Sequence, residues 1–263
     1  MRIASLQPSI SITLQHLGRL DSLCACTKYC IDAVPELVHR GIPILADSWT
    51  ADTAQILAAK PDLVIASVPY RMESLAAILK TGIPVLALAP HSLADIDGDM
   101  RLIGSLVHAT EQAGILAASM SAAIEAARSA VDPGLRKPLV YCEEWGKPLI
   151  HSQPWVAELV AAAGGEFLGK PGAHTTAEEV AAAKPDVLLF AWCGAGDRVP
   201  LRRVVEQRNW QRLTSVVERR VYCVPDEFFN TPAITLLEGL ACIRGAIDPA
   251  NSPIHHRLIT LSA

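Results

Sequence analysis

No apolar run in the 263-residue sequence approaches the ~20 residues a helix needs to cross a bilayer, so membrane insertion is not expected. Neither sign of charge is in large excess. Lys and Arg number 23 against 27 Asp and Glu, and a net charge of −4 gives no general attraction for nucleic acid or an anionic surface. Arginines gather between Arg198 and Arg220, but Asp197, Glu206 and Glu218 accompany them, so the stretch reads as a solvated helix face. The chain has no G-x-S-x-G elbow and no P-loop. "GAGDRV" at 194–199 opens like a dinucleotide fingerprint, yet it has no third glycine and runs into Pro200. The seven cysteines are an odd number, and Cys24, Cys26 and Cys30 have no partner pair at zinc-finger spacing, so the thiols are expected reduced. Met1 leads straight into a strand-like run without the apolar region of a signal peptide. If Met1 is the native start, a cytoplasmic protein is expected; removal of a leader would make it periplasmic or otherwise extracytoplasmic. Aromatics amount to 5%, which makes each aromatic at a strand end informative.

What is present, first of all, is an internal repeat. "AQILAAKPDLVIA" (54–66) and "EEVAAAKPDVLLF" (178–190) align without a gap at an offset of 124 residues. Each reads as a short helix stopped before Lys-Pro-Asp, then an apolar run suited to a buried parallel strand. A second strand follows in each half, "IPVLAL" at 83–88 and "RVYCVP" at 220–225. Helix alternating with strand in both halves predicts an α/β protein of two Rossmann-like lobes with parallel sheets. Between them, Ile103, Leu106, Val107, Ala113, Leu116, Met120, Ile124, Ala127 and Val131 keep a helical period. This predicts one long backbone helix joining the lobes, opened by a Ser92/Asp95 capping box and stopped at Asp132-Pro133-Gly134, although Gly104 and Gly114 weaken it. The expected division is an N-terminal lobe at 1–91, the connecting helix at 92–132 and a C-terminal lobe at 133–263.

The most concentrated chemistry lies in "YCEEWGKPLIHSQPW" (141–155), which follows a strand-like run. Glu143 and Glu144 are neighbours on a strand and point to opposite faces, so they are poorly placed to act as an acid/base pair. One of them is expected to be solvated or paired with Lys147. Cys30, Cys142, His151, His174 and Cys193 include zinc-ligand types, but no two have tight motif spacing, and no metal site is assigned. Ligands of two-lobed α/β proteins lie at the carboxyl ends of strands. That rule selects Gln7, Pro8 and Ser9 after the first strand, Glu143, Glu144 and Trp145 in the cluster, Trp192 and Cys193 after "PDVLLFA", and Phe228 and Phe229 after "RVYCVP". Trp155 and Trp210 lie in helix-like stretches and read as core.

"RIASLQPSISITLQHLG" resembles the opening of the helix-hinged substrate-binding proteins of ABC transporters. So does the succession of "TKYCIDAVPEL", "ADSWTADTAQILAAKPDLVIA", "GIPVLALAP", the long helix and "EEWGKPLIHSQPWVAELVAAAGG". The cobalamin-binding branch is the most similar. This resemblance implies a monomeric uptake protein that is not an enzyme and carries no cofactor, holding a cobalamin-like corrinoid in a cleft between lobes and delivering it to an ABC permease. It adds Tyr29, Trp49, Tyr70, His151 and His174 to Pro8, Ser9, Glu144, Trp145, Trp192 and Phe229 as ligand contacts. An acidic residue on each lobe is implied for permease docking; Glu178 matches, or Glu179 if the register slips, whereas the counterpart of Glu178 in the first repeat is Ala54. The segment "NTPAITLLEGL" departs from the family's C-terminal turn, which keeps open another metal chelate, such as heme or a ferric siderophore. A cytosolic metal-handling protein or enzyme on the same scaffold also stays open.

Overall fold

In a computed structural model, which describes residues 1–47 and 49–261, the chain divides into two units. The first comprises Met1–Met120 with Pro232–Ile234, and the second Ser121–Thr231 with Thr235–Ala263.

The first unit is built on a parallel five-stranded sheet. Its strands are β1 (Ile3–Ser5), β2 (Leu23–Thr27), β3 (Ile44–Leu45), β4 (Leu63–Ser67) and β5 (Val85–Leu88), in the order β3-β2-β1-β4-β5. Helices α1 (Pro8–His16), α2 (Lys28–Ala33), α3 (Thr53–Ala59) and α4 (Met72–Leu79) make the crossovers. Side chains alternate across the sheet. Ile3 and Ile65 pack on one face with Ile10, Leu14 and Ile103, while Ala4, Val64 and Ala66 pack on the other with Ile56, Leu75 and Ile78. A sheet covered on both faces needs apolar strands throughout, which is why these runs are continuous rather than alternating. Local chemistry sets the helix starts. Pro8 stands at the N-terminus of α1, Thr27 accepts from the Cys30 amide to cap α2, and Asp52 caps α3 by accepting from Ala54 and Gln55.

The expected single helix over 92–131 is two: α5 (Leu93–Leu106) and α6 (Thr110–Ser129). The start is as expected, with Ser92 Oγ accepting from the Asp95 amide at 3.1 Å. The break comes at His108, whose φ of 53° takes the left-handed conformation. The Ala109 amide then donates to Gly104 O at 2.8 Å and the His108 amide to Ser105 O at 3.4 Å, the Schellman pattern that ends a helix. Arg19 reaches the freed carbonyls of Val107 and His108 at 3.1 and 3.4 Å. Gly104 permits the corner, because a Cβ there would lie 2.2 Å from the Ala113 Cβ. The boundary between the units falls inside α6.

The second unit carries a seven-stranded sheet of β6 (Leu139–Gly146), β7 (Leu149–His151), β8 (Glu166–Phe167), β9 (His174–Thr175), β10 (Val187–Phe190), β11 (Val221–Cys223) and β12 (Ile259–Thr260). Its order is β12-β11-β10-β6-β7-β9, with β8 also against β6. The expectation of a parallel sheet holds for β6, β8, β10 and β11 and fails for β7, β9 and β12, which run antiparallel to their neighbours. For β7 the reason is connection length. Lys147 and Pro148 alone link β6 to β7, and a two-residue link can make only a hairpin. Helices α7 (Pro154–Ala162), α8 (Ala177–Ala183), α9 (Leu201–Gln207), α10 (Thr214–Val217), α11 (Glu227–Asn230) and α12 (Leu236–Ile247) complete the unit. Trp155 and Trp210 are buried, donating to Phe229 O and Ala177 O.

The repeat folds the same way twice. Helices α3 and α8 end in Lys60 and Lys184, both left-handed with φ of 50° and 52°, and the strands β4 and β10 follow. Among the described residues no helix is long and apolar enough to cross a membrane.

Candidate functional site

In the first unit the strand order reverses between β1 and β4, and their carboxyl ends flank the crevice such a reversal opens. Gln7 ties the two ends together, donating from Nε2 to Val68 O at 2.9 Å. Pro8 is half-buried beside it, while Ser9 is buried and its carbonyl accepts from Thr13 Oγ1. After β2, Tyr29 is exposed in the first turn of α2, with the Lys28 ammonium 4.8 Å over its ring. After β3, Trp49 is 52% exposed on a turn held by Asp47, whose Oδ1 accepts from the Trp49 and Thr50 amides. Ser74 donates to Trp49 O, and the Arg71 guanidinium lies 5.9 Å from the indole ring. After β4, Tyr70 is half-buried and packs on the core face that holds Ile56 and Leu75. Pro8, Tyr29, Trp49 and Tyr70 therefore share one end of one sheet.

In the second unit the reversal lies between β6 and β10. Here the cluster at 141–155 resolves into two separate carboxylate sites. Glu143 is fully buried, and the expectation that a carboxylate of this pair is solvated or paired with Lys147 does not hold. Its Oε2 accepts from the Tyr141 hydroxyl and from Arg208 Nη1 at 2.7 Å; its Oε1 accepts from Arg208 Nη2 at 2.8 Å and Trp192 Nε1 at 2.7 Å. Burial and the adjacent Glu143 push the Tyr141 phenol far up, which keeps it a donor. Glu144 sits where one extra residue enters β6, since Glu143 faces His151 and Trp145 faces Ile150. Such a bulge re-aims the side chain it contains. Glu144 is held by Gln153 Nε2 at 2.6 Å and the Cys193 thiol at 3.7 Å, and burial raises its carboxyl pKa against those two donors.

Trp145 is 45% exposed at the end of β6, and its Nε1 donates to Lys147 O at 2.9 Å. Trp192 is half-buried after β10. The loop beyond it is pinned by Asp226, which accepts from the Gly194 amide at 2.7 Å and the Gly196 amide at 3.1 Å, and the residue before Trp192 is held by Asn230, which donates to Ala191 O at 2.7 Å. Phe228 and Phe229 are buried; Phe229 has no exposed surface and its carbonyl carries the Trp155 bond.

His151 and His174 sit on paired strands, with His151 opposite Glu143. They lie on β7 and β9 and line a cavity of ≈ 280 Å³ with Leu168, Lys170 and Glu179. His151 is buried edge-on to Tyr141, and burial lowers its pKa against the opposing charge of Glu179, so it is neutral near pH 7. The set of Cys30, Cys142, His151, His174 and Cys193 does not assemble: among the described residues no three such side chains are placed to hold a metal ion. Cys142 is fully buried, and Cys193 is bonded to Glu144. Glu178 is exposed at the second position of α8. Glu179, not Glu178, closes the capping box with Thr176, and Ala54 holds the equivalent exposed position on α3.

Arg208, Tyr141, Gln153 and Asp226 were not among the sequence candidates. Arg208 stands 65 residues from Glu143 inside a stretch that reads as a solvated face, so no local spacing announces the pair. Asp226 carries a weak signal, as an acidic residue directly after an apolar strand.

Residues 3–228 match the periplasmic binding protein family. No curated protein matches the sequence. Among solved structures, the periplasmic heme-binding protein RhuT from Roseiflexus sp. RS-1 is 22% identical with a TM-score of 0.78, covering 94% of this chain and 98% of that one. A periplasmic heme-binding protein from Pseudomonas aeruginosa is 17% identical with a TM-score of 0.81, covering 100% of this chain and 98% of that one. The periplasmic vitamin B12 binding protein BtuF of Vibrio cholerae is 19% identical with a TM-score of 0.75, covering 95% and 97%. At these identities the likeness is one of fold.

Proposed function

The chain belongs to the periplasmic binding protein family, and from that premise we propose that it is the substrate-binding component of an ABC-type uptake system for a large, flat metal chelate, a cobalamin-like corrinoid in the first place. The observation that carries this reading is that each unit exposes aromatic side chains at its own strand ends. Tyr29, Trp49 and Trp145 are exposed there, and the indole N–H groups of Trp145 and Trp192 are bonded internally. Such residues offer ring faces rather than donors, which suits a macrocycle with a broad, semi-polar plane. The ligands in the names of BtuF and RhuT, vitamin B12 and heme, are both of this kind. Pro8, Tyr70 and Glu144 are the further contacts in this reading, the working location is extracytoplasmic and the protein acts as a monomer.

Heme is the second reading, and Tyr29 is what favours it. An exposed phenol at a strand end can ligate heme iron as a phenolate. Titration with cyanocobalamin and with hemin, followed by absorbance and calorimetry, separates the two. Micromolar or tighter binding of cyanocobalamin, unchanged by Tyr29→Phe, supports the corrinoid. Hemin binding that Tyr29→Phe abolishes supports heme. If neither probe binds up to about 1 mM, both readings fall.

A further inference from the structure

Trp192 is held from two directions. On one side its N–H is fixed to Glu143 Oε1 at 2.7 Å. On another its ring rests where Gly146 leaves room, since a Cβ on that glycine would lie 2.5 Å from Trp192 Cζ2 and 2.8 Å from Cε2. Glu143 cannot turn away, because its two oxygens each accept two bonds, with Arg208 bridging both. Arg208 is itself confined, its guanidinium lying 4.9 Å from the Trp210 ring centre and 5.7 Å from that of Phe190. The ion pair is buried, with the Glu143 side chain 0% and the Arg208 side chain 10% exposed.

A buried ion pair is a poor source of stability, since desolvating both charges offsets most of their attraction. It does hold geometry, because any displacement leaves a buried charge unpaired. The chain has thus placed a buried carboxylate with four hydrogen bonds directly behind a half-buried indole at a strand end.

We propose that Arg208 and Glu143 are positioning residues that lock the Trp192 ring as a preformed platform, so that ligand affinity depends on the ion pair through Trp192. This rests on the reading above that Trp192 meets the ligand. Ordering a side chain before binding removes that entropy loss from the binding step, which is how a residue without ligand contact raises affinity. Arg208→Lys is the informative change, as it keeps the charge but loses the two-pronged grip on the carboxylate.

The experiment uses the full chain labelled with 5-fluorotryptophan, which gives one fluorine resonance for each of the five tryptophans. Trp192→Phe assigns the relevant signal. With Arg208→Lys, the Trp192 resonance is expected to shift and broaden while those of Trp49 and Trp155 stay in place. Affinity for cyanocobalamin or hemin, whichever binds the parent protein, is expected to fall about tenfold, and less than about twofold when the same change is made in Trp192→Phe. An unmoved Trp192 resonance, or an equal affinity loss in both backgrounds, overturns the proposal. If neither probe binds, the fluorine signal decides alone: a released ring upholds the positioning role while the ligand reading falls. Should Arg208→Lys fail to fold, the parent protein still answers. Fluorine relaxation showing the Trp192 indole as rigid as the core Trp155 supports the lock, and an indole as mobile as the exposed Trp49 or more so removes it.

Discussion

Asp62 and Asp186 close the same two-point clasp in their separate units. Asp62 Oδ2 accepts from the Arg2 amide at 2.7 Å and Asp186 Oδ2 from the Leu139 amide at 2.6 Å. In return the Asp62 amide donates to Arg2 O and the Asp186 amide to Leu139 O, both at 2.8 Å. The Lys-Pro-Asp of each repeat thereby fastens β4 to the start of β1 and β10 to the start of β6, one central strand to the other.

Asp186 makes this clasp pH-sensitive. Burial raises its pKa, and the Arg136 guanidinium and Leu139 amide more than reverse that, leaving the carboxyl below its ordinary 3.8. An acid with a depressed folded-state pKa stabilises the fold above the ordinary value and loses that contribution as pH falls through the folded one. Asp186→Asn is therefore expected to destabilise by about 1–2 kcal/mol at pH 7 and to differ little from the parent in strong acid. Urea unfolding at the two pH values checks this; a deficit that persists undiminished in acid would show that the charge is not what matters.

The corner between α5 and α6 yields a pair of opposite effects. His108 occupies a left-handed position that glycine takes without strain, so His108→Gly is expected to stabilise by roughly 0.5–1 kcal/mol. Gly104→Ala places a Cβ 2.2 Å from the Ala113 Cβ and 3.1 Å from Ala109 O, and is expected to destabilise by about 1–3 kcal/mol. Chemical denaturation of the two variants reads both signs. Two changes of the same sign would contradict this account of the corner.

Docking to a permease is expected to be lopsided. Glu178 is exposed and left out of the cap that Glu179 makes, which frees its carboxylate for an arginine on a partner. Glu178→Ala should weaken capture of a cognate permease at low salt, leave ligand affinity unchanged and alter stability by less than about 0.5 kcal/mol. Ala54→Glu should strengthen it. Glu179→Ala, by contrast, should lower stability by about 1 kcal/mol through the lost capping box. Equal capture with and without Glu178 ends the docking role.

The fold was legible where one local signal settled the matter. The repeat announced α3-β4 and α8-β10, and Ser92 announced the start of α5. The helix break escaped because its left-handed residue is a histidine, where sequence reading looks for glycine or asparagine. The antiparallel β7 escaped because "KP" between two strand-like runs lacks the residues that usually mark a two-residue hairpin. At the candidate site, the strand-end rule selected Trp145 and Trp192, whereas Trp49 came from the family resemblance alone. Burial was harder to read: Phe229 also follows a strand but turns into the core, and Glu143 owes its setting to Arg208, a tertiary partner that no spacing rule connects to it.

The pinned loop after β10 has one more consequence. Its "GAG" stretch has the glycine-rich backbone that in other proteins cradles a phosphate with free amides. Here the Gly194 and Gly196 amides already hold an anion, and it is the protein's own: the carboxylate of Asp226. A phosphate arriving at this loop would have to displace a covalently tethered competitor and would meet a negative charge while doing so. While Asp226 occupies these amides, the loop after β10 is closed to a second anion, and its glycines serve to hold the chain's own carboxylate in place.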